Sequence, residues 1–391
     1  MDFKATECLY DQDAYLREFS AAVLSCEPVD HGYFDVVLDR TAFFPEQGGQ
    51  TADTGTLNGH VRVLDAHIRE GIIHHICDAA LEPGMHAEGG LDFDRRFSHM
   101  QQHTGEHILS GTCAREFGCR NVGFHLSDRI VTVDYDKPLN AEQLERLEDL
   151  SNRAVWANLP VRCWYPSAEE AEKLNYRSKK EIDGRLRIVS IPGVDDCACC
   201  APHVRSTGEV GLIRIMSAAS YKGGVRLSIL CGERALCAVR QKQRWLDGLC
   251  RQMTCGEDEI AQVMSKRDAE LKELKLRCVQ LETELLLQKA RKAREDGEQC
   301  LLAPGADMQA MIRAAACLSE GRTGTVGVFS GNDRDGYTFC LMGGESLRET
   351  FAAFRTRLKA QGGGDSQLIR GKCASAWTEI SAFMNTGSDE R

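Results

Sequence analysis

With 391 residues, 42% of them hydrophobic and 27% charged, the chain is long enough for two or three globular domains that each bury a core. No apolar run approaches the ~20 residues of a membrane span, and a formal net charge of −10 excludes general binding of polyanions through a basic surface. The acidic start MDFKATECLYDQDAY lacks the basic segment and apolar core of a secretory signal, so a cytoplasmic location with no membrane partner is expected.

Up to about residue 90, FDVVLDRTAFF, VRVLDAHIRE and GIIHHICDA alternate apolar and polar residues between the turn signals PEQGGQ, NGH and EPG. That pattern predicts a β domain over 1–90, a small barrel or a sandwich, of which the barrel is taken. DFDRRFSHMQQHTGEHILSGTCAREFG then predicts a helix opened by Asp92 or Asp94 and stopped at Gly118. GFHLSDRIVTVDYD reads as a strand pair, and AEQLERLEDLSNRAVWANL as an amphipathic helix ended by Pro160. Ser167 and Glu170 match a capping box on a short helix, and LRIVSIPGV, VGLIRIMSAAS and GGVRLSILCG read as strands. Residues 91–235 are thus expected to form an α+β domain, and 236–298 a helical, coiled-coil-like segment. In the latter, Met264, Leu271, Leu274, Cys278, Leu281 and Leu285 recur at 3–4 spacing, interrupted by Arg267. Over 299–391 two strands, a helix, the glycine loop GGGDSQ and a last strand predict a small glycine-rich α/β domain. The fold class is α+β overall, with room for a homodimer through the helical segment or the C-terminal domain.

In a reducing compartment most of the 18 cysteines read as buried small hydrophobes. Residues 195–209, DDCACCAPHVRSTGE, are different, because Cys197, Cys199, Cys200 and His203 crowd into seven positions. On the first long helix, His103 and His107 lie one turn apart on one face. Cys199 and His203 repeat the i, i+4 spacing in a loop. Two pairs of borderline-soft ligands suit Zn²⁺, one ion per chain, with Cys197 and Cys200 as competing ligands. The spacing is wrong for other zinc chemistries. Glu106 adjoins the second histidine, not the first as metalloproteases require, and the deaminase pattern His-x-Glu with Pro-Cys-x-x-Cys is absent. Two basic runs offer contacts for a nucleic-acid backbone within about one Debye length (~8 Å), although each is by default a solvated face. The first holds Arg177, Lys179, Lys180, Arg185 and Arg187, and the second Arg355, Arg357, Lys359, Arg370 and Lys372.

RTAFFPEQGGQTADTG, HMQQHTGEHILSG, GFHLSD and CCAPHVRSTGEVG occur in the order seen in alanyl-tRNA editing proteins, free-standing relatives of the editing domain of alanyl-tRNA synthetase. The chain resembles that family over roughly 30–235, and its remainder resembles the synthetase's C-terminal extension, as in the long form. The resemblance implies a trans-editing hydrolase that cleaves wrongly attached serine, and also glycine, from mischarged alanine tRNA at its 3′ end. It also implies that His103, His107, Cys199 and His203 are the zinc ligands, that Gln50 lines the amino-acid pocket, and that Gly48 and Gly49 let the backbone approach the tRNA terminus. Where the family often has Cys-Gly-Gly-Thr-His, this chain has Cys-Cys-Ala-Pro-His, so Pro202 removes one amide donor. The C-terminal glycine run keeps its first half and lacks the second.

An ion with four protein ligands is closed and cannot polarise water; if one ligand is absent or exchanges, the open position could generate hydroxide or hold the substrate. His99 and His125 are the candidates for proton transfer or substrate contact. Serine differs from alanine by one hydroxyl, so discrimination needs a hydrogen-bonding partner for it, and Gln50 and Thr51 are the candidates. The competing class is a zinc-stabilised tRNA- or RNA-binding module without catalysis. A redox or metal-storage role for the CACC run is a third.

Overall fold

Strands with one apolar face must bury that face, and a closed barrel does so without leaving edges. The computed structural model describes residues 4–178 and 185–386. They form two units, 1–248 and 249–391. In the first, six strands close a barrel: β1 (Glu18–Pro28), β2 (Phe34–Leu38), β3 (Gly55–Leu57), β4 (Val61–Arg69), β5 (Ile72–Cys77) and β6 (His86–Leu91). Their order is β1-β2-β5-β4-β3-β6, antiparallel throughout. Phe19, Val23, Val36, Leu38, Phe43, Leu57, Val61 and Val63 fill it.

Helix α1 (Phe93–Phe117) follows directly. The Asp92 carboxylate accepts from the Arg95 amide at 3.2 Å to cap its start, and Gly118 ends it in the left-handed conformation at φ 62°. Every residue from His99 to Cys113 is buried, so the helix is the core of its domain, not a surface element. Around it lie an antiparallel sheet of β7 (Asn121–Leu126), β8 (Val131–Tyr135), β12 (Ile213–Tyr221) and β13 (Gly224–Cys231), ordered β12-β13-β8-β7, and helix α2 (Ala141–Trp156). A second sheet joins β9 (Arg162–Trp164), β10 (Ile188–Ile191) and β11 (Asp195–Ala198), with α3 (Ala168–Lys173) between its first two strands and its capping box in place. A Cβ at Gly111 would meet the Val194 carbonyl oxygen at 2.4 Å, so only glycine lets the start of β11 lie this close to α1. Arg96, fully buried, fastens helix to barrel. It donates to the Asp53 carboxylate and to the carbonyls of Ala14 and Ala42. α4 (Gly232–Met253) follows β13.

In the second unit, α5 (Ile260–Glu295) leads to a five-stranded sheet of β14 (Cys300–Leu302), β15 (Val326–Asn332), β16 (Gly336–Met342), β17 (Gln361–Gly364) and β18 (Leu368–Cys373), ordered β14-β15-β16-β18-β17. Strand alternation sends Val326, Val328 and Cys340 toward α6 (Met308–Ser319) and the end of α5. Phe329, Phe339 and Leu341 face α7 (Leu347–Leu358) and α8 (Trp377–Thr386) on the other side. The glycine run expected as a loop is instead the edge strand β17. Its residues pair with Ile369–Lys372, and a Cβ at Gly362 would meet the Arg370 carbonyl oxygen at 2.3 Å. No helix among the described residues is long and apolar enough to cross a membrane.

Candidate metal centre

The i, i+4 pair on α1 meets the loop after β11. The donor atoms of His103, His107, Cys199 and His203 all lie within 4.8 Å of one another. Cys199 Sγ is 3.5 Å from His103 Nε2 and 3.4 Å from His203 Nε2. The three imidazoles are at most 3% exposed, and the ring centroid of His203 lies 4.9 Å from that of His103 and 4.8 Å from that of His107.

Each imidazole is held from behind. His103 Nδ1–H donates to Gln50 Oε1 at 2.8 Å, His107 Nδ1–H to Asp195 Oδ2 at 3.0 Å, and His203 Nδ1–H to Thr104 Oγ1 at 3.0 Å. These bonds fix one tautomer and leave all three Nε2 lone pairs toward Cys199, the outer-layer arrangement of metal-ligating histidines. Burial pushes the Cys199 thiol up, but the His103 and His203 imidazoles outweigh it and hold the thiol well below its usual range. Burial lowers His203 to about 3, against the pull of Cys199 in the other direction. Three imidazole nitrogens and one thiolate form a donor set suited to a borderline cation such as zinc.

The supports explain several sequence features. Gln47 and Gln50 exchange two backbone hydrogen bonds of 3.1 Å around Gly48 and Gly49, whose φ values are 65° and 86°. A two-residue hairpin with both central φ angles positive calls for this glycine pair. Gly49 also touches β7: a Cβ there would lie 2.4 Å from the Phe124 carbonyl oxygen, and the Leu126 amide donates to the Gly49 carbonyl at 2.7 Å. The turn thereby delivers Gln50, fully buried, to His103. With Oε1 accepting from His103, the Gln50 Nε2 amide is buried without a partner among the described residues. Thr51 receives Arg95 Nη2 on its hydroxyl at 3.4 Å.

The first basic run turns inward in part. Arg177 grips both oxygens of Asp195 at 2.7 and 2.6 Å, so it anchors the carboxylate that orients His107. Arg187, 7% exposed, donates to the carbonyls of Cys199 and Ala201, both at 2.9 Å, and clamps the ligand loop. Arg185 lies over the Tyr165 ring at 4.1 Å, and Lys179 and Lys180 lie outside the described residues. Arg355 and Arg357 are exposed on α7. Ile369 faces α7, so its neighbour Arg370 points to the opposite face of the sheet, and the second run does not form one surface.

His99 and His125 are not among the four donors. His99 is buried and lowered to about 4 by that burial; its Nε2 lies 3.1 Å from Asp128, and its Nδ1 has no partner among the described residues. His125 is exposed on β7, opposite Thr132. Cys197 lies beside His107 and Asp195. Cys200 Sγ lies 3.9 Å from where a Gly48 Cβ would sit, outside the four-donor group. On the barrel wall Asp35, His67 and His74 also cluster, but the two rings stack within 6° of parallel, so their in-plane lone pairs run side by side instead of converging. Gln50, Thr104, Asp195, Arg177 and Arg187 as supports escape a reading by ligand spacing. Two of them nevertheless adjoin ligand motifs, Thr104 inside HTGEH and Asp195 at the head of DDCACC.

The described residues place a closed six-strand barrel beside an α+β layer that carries a buried cluster of three histidines and one cysteine. Residues 186–227 match the model of the threonyl and alanyl tRNA synthetase second additional domain, and 12–95 match that of class II (A) tRNA synthetases. The chain is 30% identical over 275 residues to the mouse alanyl-tRNA editing protein Aarsd1, covering 66% of each. Against the alanine–tRNA ligase of Pyrococcus abyssi it is 32% identical over 298 residues, 73% of this chain and 32% of the ligase. With the ligase of Archaeoglobus fulgidus identity is 28% over 395 residues, 95% of this chain and 42% of the ligase. The chain belongs to the alanyl-tRNA editing family, in the form that continues into a ligase-like C-terminal region. It spans 66% of the mouse protein's length and under half of either ligase.

Proposed function

We propose that the chain is a trans-editing hydrolase that releases serine, and glycine, from mischarged alanine tRNA by cleaving the aminoacyl ester at the 3′ end. The observation that supports this most is the convergence of His103, His107, Cys199 and His203, each imidazole fixed on its Nδ1 side, in a chain of the alanyl-tRNA editing family. The four would hold one zinc, which would supply a Lewis-acidic centre able to retain a polar group of the substrate.

The chain's own residues account for selection and orientation. Gln50 holds His103 through Oε1 and keeps a buried amide donor unpaired. A serine hydroxyl satisfies that donor, whereas alanine and glycine both leave it unpaired, a penalty of roughly 1–3 kcal/mol, so this contact favours serine and release of glycine does not depend on it. In the hydrolysis, water adds to the ester carbonyl, the bond to the ribose oxygen breaks and that oxygen takes up a proton. His99, neutral and with a free Nδ1 acceptor, is suited to orient a water, not to store a proton. His125 on β7 and the turn at Gly48 and Gly49 are exposed and would contact the tRNA end; the exposed Arg355, Arg357 and Arg370, in the second unit and not on one surface, would meet its backbone separately.

The test is amino-acid release from serine-, glycine- and alanine-charged alanine tRNA. Serine and glycine release above buffer, absent for alanine and lost with chelator, is the expected outcome. Binding of charged tRNA without release would instead identify a non-catalytic module.

A further inference from the structure

Phe124 is no donor, yet its ring packs on one. It lies on β7, the edge strand of its sheet, and its centroid is 4.8 Å from that of the His103 imidazole, with the planes tilted by 47°. Gln50 and Cys199 occupy the two nitrogens of that imidazole, so Phe124 adds contact and no hydrogen bond. The same residue meets the exposed glycine turn, where a Cβ at Gly49 would lie 3.5 Å from Phe124 Cδ1. His103 is 2% exposed, whereas Phe124 is only half-buried. An apolar ring therefore stands where the buried donor cluster gives way to solvent.

We propose, resting on the hydrolase reading above, that Phe124 is the platform on which the terminal adenine of the tRNA stacks, so that the ester is presented to the metal centre. The chemistry of the substrate selects this partner. The amino acid's hydroxyl and ammonium, the ester, the ribose and the phosphate are all polar, and the base alone offers a flat apolar face. Stacking of bases on aromatic side chains is a general means of holding single-stranded ends. Charge contributes little at this point. Arg177 and Arg187, from the basic run nearest the centre, are committed to Asp195 and to the Cys199 and Ala201 carbonyls, and the chain carries a net charge of −10. The adenine is joined to the esterified ribose itself, so fixing the base fixes the ester. Phe124 is in this sense a positioning residue.

The experiment compares two acceptor-stem helices of alanine tRNA, chemically serylated, one ending in adenosine and the other in a base-free ribose. Wild-type protein should favour adenosine in kcat/KM by about 5- to 150-fold, the span for one stacked base. F124L keeps apolar bulk without a ring, and should lose rate on the adenosine substrate alone, bringing the two substrates within about twofold. F124Y keeps the ring and should keep the preference. A residue that only packs against His103 would slow both substrates equally when changed. Equal losses in F124L, a preference that survives F124L at full size, or a wild type indifferent to the base would overturn the proposal and leave the hydrolase reading standing. No release from either substrate or from intact serine-charged tRNA would overturn both.

Discussion

Asp195 carries two loads: it accepts from His107 Nδ1–H and binds the Arg177 guanidinium with both oxygens. Asp195→Asn keeps the shape but cannot serve both. Its amide lacks a second acceptor and no longer balances the arginine. Loss of an outer-layer carboxylate typically costs 10–100-fold in metal affinity, which corresponds to about 1.4–2.7 kcal/mol. Removing one partner of a buried ion pair costs about 3–5 kcal/mol. The Arg177 side chain is 23% exposed, so water takes up part of that cost and the low end, ~3 kcal/mol, is the reasonable figure for the metal-free protein. For a unit of this size, that lowers the midpoint of its transition by about 6–12 °C. Two assays separate the effects: zinc competition against a chromophoric chelator, and thermal unfolding of the metal-free chain. A folded Asp195→Asn protein whose zinc affinity stays within about twofold of wild type would refute the role assigned to the His107–Asp195–Arg177 chain.

Gln50→Ala should reduce serine release more than glycine release, because glycine has no hydroxyl for the free amide; equal losses in single-turnover assays would leave Gln50 only its hold on His103. Arg96→Ala strands the buried Asp53 carboxylate and should cost about 3–5 kcal/mol in urea unfolding, and a change below about 1 kcal/mol would contradict Arg96 as the fastening of barrel to helix. Burial lowers His75, in the barrel wall, to about 4. The unfolded chain therefore binds a proton at His75 below about pH 6.5 while the folded chain resists it until about pH 4, so stability falls with pH through that window. Between pH 7.5 and 5 the wild type should lose about 2 kcal/mol more than His75→Asn, and parallel losses would remove His75 from the acid sensitivity.

The donor cluster was legible in part, because ligand spacing on a helix is geometry. His103 and His107 share a face wherever that helix lies, whereas spacing alone left Cys197 and Cys200 beside Cys199 as rival ligands, and it is the family resemblance that implies Cys199 with His203. Likewise, period-two alternation was enough to indicate a β domain, barrel or sandwich, and Asp92 or Asp94 with Gly118 to bound α1, whose cap is Asp92. What supports the centre was not legible, since a basic run announces charge but not its partner. Arg177 and Arg187 look like a surface patch until folding brings Asp195 and the Cys199 and Ala201 carbonyls to them. Gln50 was read as a contact for substrate, whereas half of its amide is spent on His103. The glycines of β17 have no side chains to alternate, so an edge strand looked like a loop. The helix Met308–Ser319 went unread among its alanines.

The convergence of two helix residues and two loop residues on one cation is tested most directly by X-ray absorption at the zinc edge of the holo-protein. Three nitrogens at about 2.0–2.1 Å and one sulfur at about 2.3 Å are expected. Two or more sulfurs, which would bring in Cys197 or Cys200, or an absence of bound zinc in folded protein, would contradict the assignment.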